Sequence, residues 1–329
     1  MKYILYLMIY ISVCFAQKYV ADFIHLDYGA KTLASGNVFF MNKGDLAAVR
    51  WFPADYSFNS QPKVFSTFVS KYDGLLKQAH LGYSQPMLGG YNVTVNWNYS
   101  GVTDIPSYGK LILQDDKLPE NKTPKGYFDN MNHVGSLTFS KLFDEEIDLG
   151  WDYFKLPIKI PVALNVNYLH TTLYEYTATA FTMDVSFGFI TNLGTLFKIK
   201  GMGDFGLYLN AKNIAGSKLA WDTIETSEQT TESFESISKN VVWGVSFFQP
   251  ANDLNIDFSF GLQFQSLYSD FSYGFSFLYD KFIDVRLGFD NRDVTFGVGA
   301  LLGNLDIFVS MKPTHDLGKS LNLDFAYGL

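Results

Sequence analysis

The chain has 329 residues with 33 acidic and 25 basic side chains, a formal charge of −8, and aromatic content (17%) almost equal to its charged content (18%). An apolar fraction of 47% excludes disorder, which needs low hydrophobicity and high charge. An acidic balance without a Lys/Arg-rich block excludes nucleic acid as a partner, because such binding rests on phosphate neutralisation. A single Cys and 5 His exclude disulfide scaffolds and Cys-rich zinc frameworks.

Lys2, the apolar run 4–13 and Cys14-Phe15-Ala16 have the layout of a secretory signal peptide, so residues 1–16 are expected to be removed before Gln17. Lipidation at Cys14 is the alternative, and Val13 matches it poorly. Ten apolar residues are too few to cross a bilayer as a helix, which takes roughly 20, and no later run reaches that length.

The rest of the chain is dominated by a two-residue period. In 254–265 the even positions are Leu254, Ile256, Phe258, Phe260, Leu262 and Phe264, and the odd ones are polar or Gly. The same pattern fills Tyr91-Asn92-Val93-Thr94-Val95-Asn96-Trp97-Asn98-Tyr99-Ser100 and, with Leu164, Val166 and Tyr168 against Asn165 and Asn167, residues 162–170. Similar segments lie at 64–70, 77–85, 132–142, 178–190, 204–212 and 239–248. A meander of 273–279, 283–289, 294–302, 305–311 and 321–329 completes about fourteen strands, and links as short as Gly303-Asn304 force antiparallel neighbours. The pattern predicts an all-β fold: a closed antiparallel transmembrane β-barrel of about fourteen strands over 59–329, preceded by a plug-like or periplasmic segment at 17–58. Apolar faces would meet outer-membrane lipids and polar faces a lumen, with Tyr91, Tyr99, Tyr273 and Tyr279 at headgroup level.

With the N-terminus periplasmic, the long polar connections 101–131 and 213–238 both fall outside, the usual asymmetry of outer-membrane barrels. Residues 143–161, with Asp144-Glu145-Glu146, are long for an inner turn, which leaves the register there open by one strand pair. A secreted β-sandwich also alternates, but it would have to bury the many large apolar faces between two sheets.

Residues 28–40, Tyr-Gly-Ala-Lys-Thr-Leu-Ala-Ser-Gly-Asn-Val-Phe-Phe, then Asp45, Ala48, Trp51 and Pro53-Ala54, resemble the opening of the PorV/PorQ family of outer-membrane proteins, related to FadL-like long-chain fatty acid transporters. The resemblance continues through Met183-Asp184-Val185-Ser186-Phe187-Gly188, the 206–216 strand end, Asp284-Val285-Arg286-Leu287-Gly288-Phe289 and Asp316-Leu317-Gly318. Phe52 stands where the family box has Asn, Lys31 where it has Arg, and Leu329 where many barrels handled by the barrel assembly machinery end in Phe. The resemblance implies that the 17–58 segment occupies the lumen and that Phe39, Phe40, Trp51, Phe52 and Phe58 line or close a ligand route. It implies a channel or transporter for small solutes, hydrophobic ones among them, in the cell outer membrane. A PorV-like role in secretion or protein binding, and a general diffusion pore, are the alternatives.

No enzymatic chemistry is expected. The sequence lacks G-x-S-x-G and H-E-x-x-H, and Ser136 and Ser140 have strand parity unlike His133. His25, His80 and His315 read as exposed or interface polar residues, Asp115-Asp116 as solvated, and no cofactor or metal is called for.

Overall fold

A computed structural model describes residues 21–26, 28–38, 51–108, 123–148, 150, 155–226, 229–290, 293–314 and 318–329. Its strands are β1 (Lys63–Lys71), β2 (Leu76–Pro86), β3 (Tyr91–Ser107), β4 (Gly126–Asp148), β5 (Lys155–Leu173), β6 (Tyr176–Asn192), β7 (Asp204–Lys212) and β8 (Lys218–Thr226). They continue as β9 (Gln229–Ser236), β10 (Asn240–Ala251), β11 (Ile256–Gln265), β12 (Asp270–Tyr279), β13 (Ile283–Asp290), β14 (Asp293–Leu302), β15 (Leu305–Thr314) and β16 (Gly318–Gly328). Among the described residues two short helices accompany them, α1 (Ala30–Ala34) before the first strand and α2 (Leu193–Phe197) between β6 and β7.

Each alternating segment of the sequence falls on one strand of a closed ring of fourteen. The ring runs from β1 to β7, steps to β10, continues to β16 and returns to β1, antiparallel throughout. Closure is made by eight paired positions, Lys63↔Gly328 to Ser70↔Leu321, so neither terminal strand keeps a free edge.

Side-chain direction separates this ring from a sandwich. On β3, Asn92, Thr94, Asn96, Asn98 and Ser100 are buried inside, while Tyr91, Val95 and Trp97 are exposed. Phe68, Val95, Phe181 and Val298 are each more than half exposed. A water-soluble fold would bury such residues; here the polar rows are the interior and the apolar rows form a belt suited to hydrocarbon.

Two polar stretches of sequence are longer in strand than the alternation of large apolar residues indicated. Residues 213–238, expected as a loop, contain the β8–β9 hairpin, paired from Lys218↔Ser236 to Thr226↔Gln229 with a register shift between Trp221 and Ile224. The hairpin stands on the ring, paired with β6 at Ala178↔Trp221 and Thr179↔Ala220, and the Thr177 hydroxyl donates to Asp222 beside them. Among the described residues of 143–161 there is no extra strand pair. β4 and β5 stay paired out to Asp148↔Lys155, beyond the last β3 pair at Tyr91↔Lys141. Lys159–Asp144 (3.8 Å) and Lys155–Glu146 (3.5 Å) bridge across that extension, and these exposed charges interrupt the apolar row that marks a membrane strand. In the 101–131 connection β3 runs on to Ser107 and β4 starts at Gly126, with 109–122 outside the described residues.

Candidate functional site: the lumen and the segment it holds

The polar interior of the ring is occupied by residues that precede β1. Their path bends at glycines: Gly29 (φ 95) opens α1 and Gly36 (φ 66) comes just after it. A 3₁₀ turn at Pro53–Phe58, with proline at its start, leads down to β1.

Helix α1 lies against the β13–β16 wall. Asp324 accepts the backbone N–H of Ala30 (2.5 Å) and of Lys31 (3.2 Å), supplying a negative acceptor to otherwise unpaired donors of the first turn. The Lys31 ammonium pairs with Asp306 and lies 6.0 Å from the centre of the Phe308 ring. Phe308 itself is buried against Ala30 and Ala34. Past the helix, Gly36 N–H donates to Thr295 Oγ1 (3.0 Å) and Asn37 Nδ2 to Asp290 (2.6 Å). The contact is backbone to backbone: a Cβ on Gly288 would sit 1.9 Å from the Gly36 nitrogen, so only glycine permits it. Beneath Phe308, Arg286 and Asp284 form a buried pair at 2.8 Å, the guanidinium 5.3 Å from the ring centre.

The 51–59 stretch docks on the other side. Ala54 N–H donates to Ser186 Oγ (2.8 Å), Tyr56 hydroxyl to Asn96 (2.9 Å) and Asn59 Nδ2 to Ser84 Oγ (3.1 Å), while Asn210 Nδ2 donates to the Trp51 carbonyl. The Trp51 ring lies 3.6 Å from the Lys212 ammonium, a cation–π contact. Phe52 meets Tyr208 edge-on at 5.2 Å, and Tyr208 accepts a hydrogen bond from Ser246 (3.1 Å). Of the residues expected on a ligand route, the structure brings Trp51, Phe52 and Phe58 into one cluster with Val38, Ala54, Ala163, Ile190, Tyr208 and Val242. Phe39 and Phe40 lie outside the described residues.

A second apolar cluster joins Ala21 and Ile24 to Val134, Leu169, Ala178, Ala180, Leu219 and Ile237, of which Leu219 lies in β8 and Ile237 directly after β9. Beside it remains a gap of about 10 Å³ between Ile24, Leu169, Asn167, Asp184 and Lys212, room for roughly one water. The polar wall there is knitted together: Asn167 Nδ2 donates to Thr182 (3.1 Å) and Asp184 (2.9 Å), Ser136 to Asn167 (2.6 Å) and Thr138 to Asn165 (2.8 Å).

Of the two settings expected for them, exposed or interface, His25 and His80 have the second: both are buried where the N-terminal residues meet the ring. His80 points into the lumen, where the rings of Phe65 (5.1 Å) and Tyr28 (6.2 Å) cover it. His25 sits 6.5 Å from the rings of Trp51 and Tyr268. His315 is outside the described residues. His133 and His170 stack at 6.3 Å beside Trp97 and Tyr99 on the outer face, while Ser136 and Ser140 are buried in the lumen, so these residues form no triad.

Sequence reasoning missed the acceptors that hold α1, Asp306 and Asp324, and the cation over Trp51, Lys212. Asp324 was findable, because Leu321, Leu323 and Phe325 face out and put it inside.

A closed fourteen-strand antiparallel ring with buried polar rows inside and an apolar belt outside is the architecture of a transmembrane β-barrel. Among solved structures the chain is similar to a mutant of TodX, a monoaromatic hydrocarbon channel, with a TM-score of 0.50 at 12% identity, covering 91% of this chain and 97% of that one. The Ralstonia pickettii toluene transporter TbuX is similar at a TM-score of 0.47 and 12% identity over the same shares. No protein-family model and no curated protein matches the sequence.

Proposed function

We propose that the protein is an outer-membrane channel for small solutes, hydrophobic ones among them, and that residues 17–58 are its plug. The observation that carries this reading is the Trp51–Phe52–Phe58 cluster, which packs on Ala163, Tyr208 and Val242 inside a lumen whose buried wall is rich in Asn, Ser and Thr. Apolar side chains held in a polar tube form a surface that an apolar molecule can share or replace with little loss, whereas an ion there would lose hydration. The likeness in fold to a hydrocarbon channel agrees with this reading. Passage requires the cluster to part from the wall, and a weakened cluster should part more often.

The test is uptake of labelled toluene by vesicles carrying the purified protein. Phe52→Ala should raise the uptake rate several-fold over the unmodified chain, and Tyr208→Phe, which keeps the ring contact, should leave it within twofold. Uptake no faster than in empty vesicles for every form would refute the channel. In that event the PorV-like alternative gains, and capture of envelope proteins through the β8–β9 hairpin becomes its test. Fractionation with the outer membrane and a gel mobility that changes on boiling are expected in either case.

A further inference from the structure

Between its apolar clusters the lumen wall is polar, and two stretches of it use their polar groups differently. On β4–β6 the amides and hydroxyls of Ser136, Thr138, Asn165, Asn167 and Thr182 bond to each other and to Asp184 at 2.6–3.1 Å. Across β15–β16–β1–β2–β3 the same residue types stand in two neighbouring rows and leave many of their polar atoms unbonded. The first row has the register Ser310↔Asn322↔Val69↔Gln78↔Ser100. Ser310 Oγ, both amide atoms of Asn322, both of Gln78, and Ser100 Oγ are buried there with no hydrogen bond. The second row, Asp324↔Thr67↔His80↔Asn98, adds Thr67 Oγ1 and Asn98 Oδ1 in the same condition. None of the six side chains with unbonded atoms named here is more than 3% exposed.

Buried donors and acceptors without partners cost free energy, and replacing them by apolar groups of similar shape would remove that cost. A wall that needed only to pack would not carry them side by side. We infer that this wall is a hydrophilic track for water and small uncharged polyhydroxylated solutes, separate from the apolar cluster on the opposite side. The chemistry fits that class. Amide N–H groups donate, amide oxygens accept and hydroxyls do both, while the charged residues at the edge of the track, Lys71 and Asp324, are already engaged, so no ion is selected. The track is covered by the N-terminal segment, whose Tyr28 ring rests on His80, so it shares with the proposed channel the need for that segment to shift.

Osmotic swelling of proteoliposomes in isotonic L-arabinose reads the track directly. The full chain should swell several-fold faster than empty liposomes, and Gln78→Met or Asn322→Leu should each cut the excess rate at least threefold. Both substitutions keep shape and remove orphan groups, so both variants should keep or raise the temperature at which the gel mobility changes. Their toluene uptake should stay within twofold of the unmodified chain, which separates failure of the track from failure of the channel. Swelling unchanged by either substitution, a lowered transition temperature, or toluene uptake falling in parallel with swelling would each overturn the inference.

Discussion

Asp324 accepts hydrogen bonds from two successive backbone N–H groups of a five-residue helix, too short to be stable by itself in water. The wall therefore makes the helix as much as it holds it. Bonds to a buried carboxylate contribute about 1.5–3 kcal/mol each, so Asp324→Ala should free α1 while leaving the ring closed. Tryptic cleavage after Lys31 should accelerate at least tenfold, with no loss of the unboiled gel species. Arg286 tests a different balance. Arg286→Leu strands the buried Asp284 carboxylate and should cost about 3–5 kcal/mol in urea unfolding, whereas the double change Asp284→Leu/Arg286→Leu should recover most of it. At this scale the sequence was only partly readable. Parity alone turns His80 and Asp324 inward, but whether an inward side chain is wet or covered depends on chain some fifty residues or more away, which parity does not contain.

Among the elements, those crossing the belt announce themselves and those beyond it do not. A strand facing lipid on one side and a polar lumen on the other must place a large apolar residue at every second position, and β3 and β11 could be read directly for that reason. The β8–β9 hairpin and the far ends of β4 and β5 obey the same backbone geometry, but exposed charges such as Asp144, Glu146, Lys159 and Glu235 break up the outward apolar row there. The short turns that precede β1 and pack against the inner wall are of mixed composition with no period to detect, and only the resemblance pointed to them. The ring pairs β7 directly with β10, from Asn240↔Lys212 to Phe248↔Asp204, so the hairpin is an addition to it. Deleting residues 222–233 should leave the heat-dependent gel shift intact and keep Leu219 and Ile237 against Ala178. Loss of the compact species on deletion would show the hairpin to be part of the ring's stability.

For the whole molecule, membrane residence rests on the apolar belt. Val95 lies midway between Tyr91 and Tyr99 on the outward face of β3, and Val95→Arg should cost about 2–4 kcal/mol in lipid-vesicle unfolding, the penalty for a cation near the bilayer midplane. Arginine at the exposed Leu88, in the β2–β3 turn, should cost far less. The seam has a consequence of another kind. β1 and β16 meet last in chain order, the chain entering β1 comes straight from the lumen, and the Leu329 N–H reaches back to the Pro62 carbonyl at 2.8 Å. The strand that locks the cylinder also carries Asp324, so the closing seam and the hold on α1 share one element. A chain that closed its ring with α1 outside would have to reopen it to seat the helix.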